Sequence, residues 1–320
     1  MSCDTLQTIP ARGPGSVANT KAIESDGQFI VRTGIHDDDL EFNELLIKTH
    51  YSDVNPADIR HSTFLGIRST VVGYVFAGRV ISSPPGSKYK EDDITHVATL
   101  AVVVMTAADA IHNLSKTALP TSPGCITAPI LIWGASSSVG ISAVQLARAG
   151  GYRNIFVTAS PSRHALLRDL GATQAFNYTS PTVIEDIKSA VEALGEGPIA
   201  HALEAVGSIM SSSTSFADVL AQAVSDSAAV LAYVVIRSGI KFQMPVAALR
   251  DGWTILPPRA RAPALVSLSA APTRHRNFKV PVVEVLDVTP EEAFRELMNF
   301  AEGTRAFRKV VLKDPFRYSQ

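Results

Sequence analysis

The chain has 320 residues, room for about two domains at ~150 residues each. Its hydrophobic content is 46%, its charged content 18% and its formal net charge -1; this is ordinary globular composition, with no long-range electrostatic reason to attract nucleic acid or an anionic membrane. The two cysteines and eight singly scattered histidines form no Cys-x-x-Cys or His-x-x-x-His pair, so neither a metal nor a disulfide is expected.

In chain order, Met1–Gly15 is polar and lacks the apolar core of a secretory signal. No apolar run reaches the ~18 residues of a spanning helix, so a cytoplasmic protein is expected. Residues 1–30 carry no periodic signal. Glu44–His50 and Val71–Val80 read as strands, and Gly73 and Gly78 in the second suggest a turn or a close backbone approach. His96–Leu114 reads as a buried helix, and Pro120–Pro129 as a linker.

From Ile130 the pattern is regular. Strands at Ile130–Trp133, Ile155–Thr158, Ala175–Tyr178, Ile199–Val206 and Ala228–Ile236 alternate with helices at Val139–Ala149, Ser162–Leu170, a segment ending at Leu194, and Phe216–Val224. The third strand-to-helix junction repeats the Ser-Pro start signal of the second. Ser160 is placed to cap the second helix, with Pro161 in its first turn and Gly171 at its end. Such alternation predicts an α/β, doubly wound parallel sheet. The pattern decays after Arg237. It returns as a strand at Val280–Leu286, an amphipathic helix at Pro290–Glu302 with acids in its first turn, and a final strand at Phe307–Leu312.

The junction after the first regular strand reads Gly134-Ala135-Ser136-Ser137-Ser138-Val139-Gly140. Ala135, Ser137 and Gly140 occupy the three places of G-x-G-x-x-G. Small residues there let a pyrophosphate reach backbone N–H groups at a helix N-terminus. Ala135, Ser136, Ser137, Ser138, Val139 and Gly140 are therefore candidate cofactor-binding residues; the other reading is a plain strand–turn–helix junction. A site for NAD places an acid at the end of the second strand to accept from the ribose hydroxyls. Here Thr158-Ala159-Ser160 ends that strand, no acid occurs until Asp169, and Arg163 and His164 follow. A guanidinium suits the extra 2′-phosphate, so NADP(H) is the expected cofactor; alternatively Arg163 is a solvated helix residue.

The stretches WGASSSVGISAVQLARAGGY, VTASPSRHALLRDLGATQAFNY and RKVVL resemble the medium-chain dehydrogenase/reductases, within them the zinc-free enoyl-reductase and quinone-reductase branch, and there the trans-acting enoyl reductases of fungal polyketide pathways. The resemblance is specific over 128–236 and looser over 44–80, 97–114 and 280–312. It implies a Rossmann domain at 121–274 inside a discontinuous GroES-like catalytic domain at 1–120 and 275–320. It implies that Ser160, Arg163 and Tyr178 hold the 2′-phosphate. Val206, Gly207, Val235 and Ile236 would border the cofactor, and Asn55 and Thr106 the nicotinamide. The sequence departs from the family at Arg79–Val97, where a Gly-Asp-Arg-Val turn is missing, and at 240–280, so the catalytic domain reads as truncated.

The activity implied is NADPH-dependent, zinc-independent hydride transfer to an activated C=C of a small or carrier-protein-bound polyketide substrate. Without zinc, the developing oxyanion needs a hydroxyl or amide donor; Asn55 and Thr106 are the leading candidates, with Tyr51 and Tyr74 behind them. A redox-neutral enzyme on the same scaffold is the alternative, drawing acid or base from His36, Asp37, Asp53, Asp58, His61 or His96. A non-catalytic NADP(H)-binding protein is a third. A monomer is favoured over a homodimer, because dimeric relatives pair along the sheet edge where this chain loses its pattern.

Overall fold

The structure, a computed structural model, describes residues 7–10, 21–25, 29–33, 46–56, 58, 70–73, 75–83, 85–86, 101–120, 122–207, 215–234, 242–243, 283–301 and 309–313. The described elements begin with strands β1 (Gln7–Pro10), β2 (Lys21–Ser25), β3 (Phe29–Thr33), β4 (Leu46–Asp53), β5 (Thr70–Val71) and β6 (Phe76–Ser82). Helix α1 (Ala101–Ala108) follows and widens into a π-helical turn, Asp109–Leu114. Then come β7 (Ile130–Trp133), α2 (Ser138–Gly150), β8 (Ile155–Ala159), α3 (His164–Leu170), β9 (Gln174–Asn177), α4 (Val183–Leu194), β10 (His201–Glu204), α5 (Phe216–Ala223), β11 (Val230–Tyr233) and β12 (Phe242–Gln243). The last elements are β13 (Val283–Leu286), α6 (Pro290–Ala301) and β14 (Lys309–Lys313). They fall into two compact units, one of Met1–Thr99 with Val282–Gln320, the other of Leu100–Pro281.

The second unit holds a six-stranded sheet in the order β9-β8-β7-β10-β11-β12, all pairs parallel. Numbered along the chain from β7, this is the 3-2-1-4-5-6 order of the dinucleotide-binding doubly wound fold, and it reverses between β7 and β10. The continuous apolar run of β7 follows from burial on both faces. Ile130 and Ile132 pack with Val104, Ile111, Val144 and Leu146 on one side. Leu131 and Trp133 pack with Ile187 and Leu220 on the other. Gly151 ends α2 at φ +103, and a Cβ there would lie 2.0 Å from the Gly124 carbonyl oxygen, so the linker can pass only over glycine.

The first unit is β-rich. One sheet has the order β1-β3-β2-β5, the other β13-β14-β4-β6. The non-periodic opening of the chain thus contributes three strands. β2 pairs antiparallel with β3 and β5, and β1 pairs parallel with β3, so partners elsewhere in the chain decide the structure there. Val71–Val80 does not run as one strand, because Gly73 turns at φ +100 between β5 and β6. Gly78 is a close approach: a Cβ would sit 2.1 Å from the Lys48 carbonyl oxygen. Among the described residues the core of this unit is built around Val54, Ala293, Leu297, Val310 and Leu312.

Candidate functional site

The carboxyl end of β7 turns at Gly134, φ +73. Two bonds from the neighbouring strand hold the turn: Gly134 N–H donates to Thr158 Oγ1 at 3.1 Å and Ala135 N–H to the Thr158 carbonyl at 3.0 Å. Ser137 caps α2, its Oγ accepting from Gly140 N–H at 3.0 Å. The same hydroxyl donates to the Ala205 carbonyl at 2.9 Å, across the point where the strand order reverses. Ser137 therefore shapes the cradle with both its donor and its acceptor. A Cβ on Gly140 would meet Ala135 Cα and the Gly134 oxygen at 2.6 Å, which is why the helix can start so close to the strand. Ala135 and Ser136 are buried, Ser138 and Val139 half-buried. The amides of Ser138 and Val139 open the helix and meet no acceptor among the described residues. A small-residue turn with open amides at the positive end of a 13-residue helix fits a pyrophosphate.

The structure brings Ser160, Arg163 and Tyr178 to one edge of this cradle. Ala159 and Asn177 are register partners on β8 and β9, so Ser160 and Tyr178 follow directly at adjoining strand ends. Arg163 closes the 3-10 turn Pro161–Arg163, its N–H donating to the Ser160 carbonyl at 2.9 Å. Ser160 makes no side-chain cap bond, contrary to expectation, because the 3-10 turn intervenes and α3 starts only at His164. The Tyr178 ring packs edge-on to Phe216 at 6.0 Å, giving it a structural contact besides any ligand. Val206 is 43% exposed beside Gly134, and Gly207 turns at φ +65. Val235 and Ile236 lie outside the described residues, as do Tyr74, His36, Asp37, His61 and His96.

Sequence reasoning missed Glu204. Fully buried at the end of β10, its carboxylate accepts from Val206 N–H and Gly207 N–H, each at 2.9 Å. The signal was an acid interrupting an otherwise apolar strand.

In the other unit, the residues after β4 close on the last strand. Lys309 Nζ lies 2.8 Å from Asp53 Oδ2 and donates to Asn55 Oδ1 at 2.6 Å and to the Val54 carbonyl at 3.1 Å. Asn55 Nδ2 donates to Asp53 Oδ2 at 3.3 Å, and Asp58 Oδ2 accepts from Asn55 N–H at 2.7 Å. All five residues are buried. Burial pushes the Asp53 carboxyl up to about 6 despite the Lys309 charge, and burial pushes Asp58 up to about 7. The Asn55 amide is thus oriented: its oxygen faces an ammonium and its nitrogen a carboxylate. Tyr51 stands 39% exposed on β4 of the same unit, whereas Thr106 is buried on α1 of the other.

A second buried polar group lies at the amino ends of the parallel strands, away from the cradle. The Tyr152 hydroxyl bonds His201 Nδ1 at 2.7 Å, and His112 Nδ1 lies 3.4 Å from Thr117 Oγ1. Burial holds His112 down at about 4, lowers His201 and raises Tyr152. A cavity of about 450 Å³ lined by Lys188, Glu192, Pro198 and Ile199 opens near this end too, remote from the cradle. Among the described residues no group of three His, Cys, Asp or Glu side chains is placed to hold a metal ion, and no helix is long and apolar enough to cross a membrane.

Strand order and turn together are those of the doubly wound α/β fold. Residues 138–225 match the family model described as zinc-binding dehydrogenase. A trans-enoyl reductase, himH, of Aspergillus japonicus is 41% identical over 100 residues, 31% of this chain and 29% of that protein. The zinc-binding alcohol dehydrogenase domain-containing protein cipB of Emericella nidulans is 29% identical over 186 residues, 52% of this chain and 58% of that protein. The chain thus matches well under two thirds of the length of these relatives. The crystal structure of CurK enoyl reductase superposes with a TM-score of 0.68 at 18% identity, over 92% of this chain and 99% of that one. Over these stretches the chain is similar to medium-chain dehydrogenase/reductases, enoyl reductases among them. Its fold is the expected one, a Rossmann sheet with a discontinuous β-rich, GroES-like partner.

Proposed function

We propose that the protein is an NADPH-dependent, zinc-independent oxidoreductase acting on the activated C=C of an enoyl or enone metabolite. The observation that carries this reading is the cradle at the strand-order reversal, flanked by Ser160, Arg163 and Tyr178 with no carboxylate at the end of β8. The names of the fungal relatives support the enoyl class.

Bound there, the dinucleotide would supply a hydride. The Ser138 and Val139 amides hold its pyrophosphate, Arg163 pairs with the 2′-phosphate, and Ser160 and Tyr178 offer hydroxyls beside it. In this reading Asn55 donates to the oxyanion that develops on the substrate, with Thr106 and Tyr51 as the further hydroxyl donors. Asn55 donates through Nδ2, and the Lys309 ammonium on Oδ1 fixes which way that amide points. The substrate is a small molecule or a carrier-bound polyketide, and the protein acts in the cytoplasm as a monomer.

A redox-neutral reaction is the second reading, favoured by one observation: buried Asp53 and Asp58, lifted to about 6 and about 7, are poised to exchange protons near neutrality. The two readings separate in a single assay. NADPH and NADH are titrated by nicotinamide fluorescence, then NADPH loss is followed with α,β-unsaturated thioesters, enones and quinones. The oxidoreductase reading expects NADPH to bind more tightly than NADH and to be consumed. Product without NADPH loss establishes the second reading. Arg163→Ala is expected to weaken NADPH by about tenfold and leave NADH unchanged; an unaltered ratio removes Arg163 from the site.

A further inference from the structure

A dinucleotide that crosses the reversal point with its adenosine half over β8 must lay its other half toward β10. The segment met there is Ala205–Val206–Gly207, and one buried side chain sets its shape. Glu204 is level with Trp133, its register partner on β7, and is 0% exposed. Its two carboxylate oxygens take successive amides, Val206 and Gly207, at 2.9 Å each. The loop so held makes two contacts with the cradle. The Ala205 carbonyl accepts from Ser137 Oγ, and Val206 Cγ2 lies where a Cβ on Gly134 would be, at 2.1 Å.

We propose that Glu204 is a positioning residue for the pyrophosphate–nicotinamide half of the bound dinucleotide. It folds the 205–207 loop against the cradle, so that Ser137 and Gly134 keep the geometry a pyrophosphate needs. This rests on the cofactor reading above. The adenosine phosphate half is served by Ser160, Arg163 and Tyr178, which follow β8 and β9 on the far side of β7, and does not depend on Glu204.

That division makes the role testable without any substrate. Glu204→Gln keeps the shape but turns an amide donor toward a backbone N–H. The affinities of the parent and variant for NADPH and for the fragment 2′,5′-ADP are measured by calorimetry. Glu204→Gln is expected to weaken NADPH roughly tenfold, the effect of losing one hydrogen bond to a charged group, and to change 2′,5′-ADP less than twofold. Glu204→Asp can still accept the Val206 amide in an Asx-type turn and should recover part of the NADPH affinity; it carries the same two-ligand comparison if Glu204→Gln does not fold. Parallel weakening of both ligands shows a merely structural role and overturns the proposal, as does no weakening of either. A parent that binds neither ligand overturns the cofactor reading itself, a different outcome from a parent that binds both and a variant that loses both.

Discussion

The two units hold their buried ionisable groups in different ways. The parallel-sheet unit has a large core on both sheet faces, and the ionisable groups at its amino end are histidines and a tyrosine held neutral. In the β-rich unit a lysine and two carboxylates share one buried network beside the described core. A large apolar core keeps these rings neutral and tolerates a carboxylate such as Glu204 where backbone amides hold it. In the β-rich unit the attraction within the ion pair offsets the cost of desolvating it, so removing one partner costs more than removing both.

The largest effect expected from disturbing this contrast is at Lys309. Lys309→Met leaves Asp53 buried without its cation and should cost about 3–5 kcal/mol of unfolding free energy. Adding Asp53→Asn should return much of that loss in denaturant melts. If the double variant is no more stable than the single, the network is not what holds β4 to β14.

Next is the cradle. Gly140→Ala drives a Cβ to 2.6 Å from backbone atoms that cannot yield, and should cost about 3 kcal/mol and abolish NADPH binding. Gly195→Ala, where nothing lies within 4 Å of the added Cβ but φ is +69, isolates backbone strain from crowding and should cost only about 1 kcal/mol. Thermal melts of the two variants compare the terms directly.

The smallest effect sharpens the contrast most. Asp53 and Asp58 have folded values raised to about 6 and about 7, above the usual 3.8. Their contribution is complete below about pH 4 and is lost as pH rises through 6 to 7. His112 is lowered from 6.5 to about 4 and His201 is also lowered. Their contribution is complete above about pH 6.5 and is lost as pH falls toward 4. Native-state hydrogen exchange, corrected for intrinsic rates, should therefore show opposite trends between pH 5 and pH 8: β4 and β14 amides lose protection as pH rises, while α1 and β10 amides gain it. Trends of the same sign would refute the difference in how the units bury charge.

The amino-acid sequence by itself determined five of the six strands of the parallel sheet; the sixth, β12, lies where the pattern decays. Its strand–helix repeats announce themselves within ten to fifteen residues through apolar runs and helix start signals, three of the four helices with a glycine stop, and such signals are local. The candidate cradle at Ala135–Gly140 and the acid-free end of β8 were legible for the same reason. Only the tertiary structure decided the strands of the polar opening, whose partners are remote, and the break at Gly73. It alone decided that Ser137 spends its hydroxyl on Gly140 and Ala205 rather than leaving it for a ligand. It alone joined Lys309 to Asn55 across 254 residues and turned Glu204 onto its own loop. A lysine in a final strand and a glutamate ending an apolar one look like solvated residues in one dimension. Which partner neutralises a buried charge is set by distance in space, and periodicity along the chain carries no record of it.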